Sequence, residues 1–93
     1  MEQGASDAAA MLRTLGNEQR LLLLCLLIEH GEMNVGQMQA QVELGQSALS
    51  QHLARMRSDG LVACRREGQS MYYRIDDPRV GTLVSALKSV FCP

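Results

Sequence analysis

Aromatic residues are scarce in this chain, with two tyrosines and one phenylalanine in 93 residues. A surface that stacks single-stranded bases needs several such rings, so their scarcity argues against that mode of nucleic-acid binding. Long apolar runs are lacking too. The longest, from Leu21 to Ile28, has eight residues, whereas a bilayer-spanning helix needs about 20. It also begins too far from the start, and without a cleavage-site pattern, to act as a signal peptide. The expectation is a cytoplasmic protein with no membrane partner. No C-x-x-C pair, phosphate-binding loop or nucleophile beside a base occurs, which argues against an enzyme and calls for no cofactor. Cysteine is limited to Cys25, Cys64 and Cys92. In a reducing compartment these are expected as thiols, so a disulfide would be a signal rather than a staple. With no repeat, low-complexity stretch or dividing linker, residues 1–93 read as one domain.

What is present is a core and an uneven charge. Apolar residues make up 46% of the chain, enough for one small core that a partner subunit can complete. The net charge of −1 conceals a strong asymmetry. Residues 1–45 carry two arginines against six carboxylates, whereas residues 46–74 carry five arginines against two. The planar guanidinium fork suits phosphate and guanine, though a solvated basic face has the same composition.

Periodicity predicts a helix over Asp7–Leu15 capped by Ser6, and a second over Glu18–His30 capped by Asn17 and stopped by Gly31. A third is expected over Val35–Val42 after Asn34. A turn at Glu43-Leu44-Gly45 then leads to a fourth from Gln46 or Ser47 to Ser58. Beyond Gly60 the pattern becomes strand-like over residues 61–66 and 70–75, around a hairpin turn at Gly68. Asp76-Asp77-Pro78 opens a last helix with an apolar stripe of Val80, Leu83, Val84, Leu87, Val90 and Phe91. That stripe exceeds what one small subunit can cover, so the first and last helices are expected to form a homodimer.

The expected fold is therefore mostly α with a β-hairpin, in the order α-α-α-α-β-β-α. Two helices joined by a tight turn and followed by a basic ribbon describe a winged helix-turn-helix. In the fourth helix Leu49, Leu53 and Met56 share a face that should be buried. The remaining faces place Gln46, Ser47, Ser50, Gln51, His52 and Arg55 where they can reach base edges or phosphates of double-stranded DNA. In the wing, Arg65, Arg66 and Gln69 would reach the neighbouring groove or its phosphates. The alternative is an ordinary polar face, with wing arginines paired to Glu67 or Asp59. A protein-binding winged helix without DNA affinity is the competing functional class, and its best support is the acidic net charge.

The stretch from Leu44 to Val62, the Arg65-Arg66-Glu67-Gly68-Gln69 turn, Tyr72-Tyr73-Arg74-Ile75 and the Asn17-Glu18-Gln19-Arg20-Leu21 helix opening resemble the ArsR/SmtB family of bacterial repressors. The resemblance implies a homodimer that binds an inverted-repeat operator and is released by an inducer. The metal positions of that family are not filled here. Val35-Gly36-Gln37-Met38 stands where a C-x-C pair would be required, and residues 78–93 contain no histidine. No metal site is expected. Cys25 and Cys92, with the ending Leu87-Lys88-Ser89-Val90-Phe91-Cys92-Pro93, resemble the thiol- and persulfide-sensing branch typified by BigR, YgaV and HlyU. Carried over, Cys25 and Cys92 form a redox switch for which an oxidant or a reactive sulfur species is the inducer. Residue chemistry alone leaves alternatives open. A cysteine in an apolar helix also serves as small core filler, the expected role of Cys64, and a regulator with a small-molecule inducer or none fits the same residues.

Overall fold

The computed structural model describes residues 2–91. Its elements run α1 (Glu2–Leu15), α2 (Glu18–His30), β1 (Glu32–Asn34), α3 (Val35–Gln39), α4 (Gln46–Ser58), β2 (Val62–Glu67), β3 (Ser70–Ile75) and α5 (Pro78–Phe91). Helix boundaries follow local chemistry. The Asn17 side chain accepts the Arg20 N–H at 3.0 Å to open α2, and Gly31 closes that helix at φ +82°, a conformation few L side chains adopt. Asn34 and Gln37 form a reciprocal capping box at α3, with bonds of 2.8 and 2.9 Å. Asp77 accepts the Arg79 N–H at 2.9 Å beside Pro78, the first residue of α5.

Three expectations need correction. Helix α1 begins at Glu2 rather than Asp7, so Ser6 lies inside the helix and caps nothing. The alanines at 8–10 favour helix, and Gln3 donates to Asp7 one turn on at 3.0 Å, carrying the helix back past the expected cap. Helix α3 stops at Gln39 instead of Val42, although Val42 still packs against the core. Finally, the order α-α-α-α-β-β-α omits a strand. Residues 32–34 form β1, which pairs antiparallel with β3 and makes a three-stranded sheet in the order β1-β3-β2. Three residues are too few for alternation to show, and pairing with a strand some forty positions away is invisible locally.

Directly opposed residues of antiparallel strands share a face, so the register sorts the sheet. Met33, Tyr73, Cys64, Val62 and Ile75 lie on the face that meets the helices. Glu32, Arg74, Asn34, Tyr72 and Arg65 lie on the outer face. The β2–β3 turn has Gly68 at φ +61° followed by Gln69 at negative φ, the signs of a type II′ turn. Leu23, Leu24 and Leu27 of α2 sit at the centre of the core, against Leu49, Leu53 and Met56 of α4 and Val80 and Val84 of α5. The stripe of α5 is thus only partly used. Leu83, Val90 and Phe91 remain exposed, as do Leu12 of α1 and Leu22 and Ile28 of α2.

Candidate nucleic-acid interface

Helix α4 is anchored by Leu49, Leu53 and Met56, all fully buried. That anchoring turns Gln46, Ser47, Ser50, Gln51 and Arg55 to solvent and leaves His52 half-buried at the margin. Gly45, at the N-cap, supplies no side-chain bond. The first N–H groups of α4 therefore point outward without a side-chain acceptor, beside two serines short enough to admit a phosphate.

The far end of α4 is tied to α1. Thr14, completely buried, donates its hydroxyl to Oδ2 of Asp59, and Arg55 Nε donates to the same oxygen at 2.9 Å. These two donors, Thr14 first, hold the Asp59 carboxyl below the usual carboxylate range. Arg20 of α2 donates to the Thr14 carbonyl at 2.6 Å, so the ends of α1, α2 and α4 meet in one hydrogen-bonded cluster. The sequence reading singles out Arg20 only as part of the family-like helix opening, and Thr14 not at all. Nothing local marks a threonine near a helix end as the partner of an aspartate 45 positions on.

In the wing, Arg65 is fully engaged. Its Nη2 donates to Glu32 Oε1 at 2.7 Å, Nε donates to Oε2 at 3.0 Å, and Nη1 donates to Glu67 at 3.0 Å. Its guanidinium carbon lies 4.8 Å from the Tyr72 ring centroid. The Arg65 bond pulls the Glu32 carboxyl below its ordinary range, and Arg65 is raised in turn. By contrast Arg57, Arg66 and Arg74 are exposed and make no ion pair among the described residues, and Gln69 is exposed at the turn. The structure thus brings Gln46, Ser47, Ser50 and Gln51 onto one surface, and sets Arg66 and Gln69 at the tip of the adjoining hairpin.

The two switch candidates fare differently. Cys25 is a half-buried free thiol on α2, bordering an apolar groove of about 520 Å³ with Leu21, Leu22, Val84, Leu87 and Phe91. Cys92 lies outside the described residues. Cys64 is a free, half-buried thiol opposite Tyr73 on the core face of the sheet. Among the described residues no three His, Cys, Asp or Glu side chains gather as a metal ion would require, and no helix is long and apolar enough to cross a membrane.

Residues 17–63, from the opening of α2 into β2, match the family described as "Bacterial regulatory protein, arsR family". The chain belongs to the ArsR family. It is similar over its whole length to other ArsR-family proteins. It shares 40% identity with the transcriptional activator HlyU of Vibrio cholerae, over 99% of this chain and 84% of that one. Identity is also 40% with the biofilm growth-associated repressor of Xylella fastidiosa, over 99% and 80% respectively. The solved structure of reduced HlyU from Vibrio cholerae superposes with a TM-score of 0.93, covering 100% of this chain and 97% of that one. That of the repressor BigR from Xylella fastidiosa gives 0.93, covering 100% and 94%. This ArsR-family chain is a winged helix-turn-helix regulator rather than an enzyme, and its strand β1 pairs with strand β3 of the wing.

Proposed function

We propose that the protein is a dimeric transcriptional repressor that grips an inverted-repeat operator and releases it when a Cys25/Cys92 pair is oxidised or persulfidated. The observation that carries the DNA part is the α4 surface. Gln46, Ser47, Ser50 and Gln51 are exposed together on a helix whose opposite face is locked into the core, and an arginine-bearing hairpin stands next to it. His52 and Arg55 flank that surface. The relatives are divided between an activator and a repressor by name. Repression is the simpler physical outcome, because occupancy of a promoter alone suffices.

Dimerisation is supported by exposed apolar side chains on α1 and α5, where Val90 and Phe91 are 72% and 75% exposed. A symmetric pair would place two α4 helices and two wings on successive turns of the duplex.

The thiol part is supported by position. Phe91 lines the groove beside Cys25, and Cys92 follows it in the sequence. With peroxide, the two thiols lose two protons and two electrons, an S–S bond forms, and the peroxide is reduced to two waters. With a persulfide donor, each thiol takes one sulfur atom and leaves the donor a thiol. The two cysteine persulfides then condense to a trisulfide with loss of hydrogen sulfide. Either bridge ties α2 to the end of α5 and shifts the spacing of the two recognition helices.

The test measures binding to a labelled duplex from the promoter region of the protein's own gene. Wild type, Cys25→Ser and Cys92→Ser are compared before and after peroxide or persulfide treatment. Reduced protein should bind with a steep negative salt dependence. Treatment should release wild type and leave both variants bound. Equal release of the variants would remove the thiol switch, and no retention of reduced protein would remove DNA binding.

A further inference from the structure

Neighbouring arginines in the wing have different surroundings. Arg65 and Arg66 are consecutive in β2, so they project from opposite faces of the sheet. Arg66 shares its face with Met71 and with the side that α2 and α4 pack against. Arg65 is on the outer face, opposite Tyr72. Strand β3 separates β2 from β1, so a bond from Arg65 to Glu32 has to cross β3, and Tyr72 is the ring it crosses.

That crossing is made by two nitrogens on one carboxylate, with the third held by Glu67. Two-pronged guanidinium–carboxylate bonds fix orientation as well as distance. The strand so tied is only three residues long and lies at the edge of the sheet, where its own ladder is weak. A cation already held by two carboxylates is also a poor phosphate ligand, because binding DNA through it would bring both negative charges toward the backbone.

We propose that Arg65 is a positioning residue that straps β2 to β1 across Tyr72 and holds the wing's attitude to α4, while Arg66 and Gln69 make the wing's phosphate contacts. This rests on the DNA-binding reading above and reassigns Arg65 within it.

Two measurements on the full chain test it. The first needs no DNA. Amide hydrogen exchange of the β1–β3 ladder should quicken by roughly two- to fivefold in both Glu32→Gln and Arg65→Gln, the range an exposed ion-pair network supports. The second is affinity for the same promoter duplex as a function of salt. Arg65→Gln and Glu32→Gln should each weaken binding by a similar factor without changing the salt slope, and the double variant should be no weaker than either single one. Arg66→Gln should instead lower the slope by about one and leave exchange in the ladder untouched.

The proposal is overturned if Glu32→Gln tightens binding while Arg65→Gln lowers the slope, since Arg65 would then be a phosphate contact that Glu32 restrains. It is also overturned if exchange in the ladder is unchanged in both variants. Faster exchange in a protein that shows no salt-dependent retention on the duplex would sustain the strap and defeat the DNA reading instead.

Discussion

The α4–wing end and the α2–α5 face expose opposite chemistry. At the first, leucines are all turned inward, and what meets water is serine, glutamine and arginine, with Arg55 and Arg65 held by carboxylates. At the second, Leu22, Ile28, Leu83, Val90 and Phe91 stand in water, with Glu18, Glu29 and Lys88 close by. Apolar side chains are used at both ends. They support a polar surface in one region and are themselves the surface in the other. The same residue type therefore serves folding in one place and is available for association in the other, and mutations should separate the two roles.

The largest expected effect is on the buried side of this contrast. Leu53→Ala should lower the free energy of unfolding by about 2–5 kcal/mol, read by chemical denaturation, because α4 has no second anchor row. A loss under about 1 kcal/mol would mean that the helix relaxes onto the sheet and that its placement is soft.

On the exposed side, a Leu83→Ser/Phe91→Ser double variant should keep its helical content but weaken self-association by at least about tenfold in sedimentation. Unchanged association would show that α5 is not the contact surface, and the contrast between the two regions would fail.

A smaller effect sharpens the polar end. Thr14→Val should cost about 1 kcal/mol by leaving Asp59 one donor short. The Asp59 carboxyl is held below its ordinary range in the folded protein. Its stabilisation is therefore fully present above the unfolded carboxylate range and fades as pH falls through the lowered folded value. Thermal melts across the acid limb should be flatter for Asp59→Asn than for wild type, by a modest amount because solvent screens so exposed a carboxylate. Parallel acid limbs would show that the cluster does not couple α1 to α4.

Much of the helical frame was legible because its signals are local. Asn17, Gly31 and Asn34 cap where short-range rules place them, and the Leu49, Leu53 and Met56 spacing leaves only one face to bury. The start of α1 was misread because Ser6 looks like a cap while the helix is carried on by its alanines and the Gln3–Asp7 bond. The site was legible as a set of residue types, but their division of labour was not. Arg65 and Arg66 are indistinguishable in sequence, and only strand register sends one to the outer face and the other to the core face. The partner of Arg65 was foreseen only in part, since Glu67 lies two positions away but Glu32 lies 33 away on an unforeseen strand.

The amino-acid order by itself determined the periods, the caps at Asn17, Gly31 and Asn34, the hairpin at Gly68 and the concentration of arginine after residue 45, since each depends on neighbours within a turn or two. It also carried the family likeness that residues 17–63 later matched. Tertiary structure alone decided that residues 32–34 pair as a strand, that Thr14 meets Asp59 across 45 positions, and that half of the α5 stripe stays uncovered. These outcomes depend on which distant surfaces compete for the same neighbour, and that competition is resolved only when the whole chain packs.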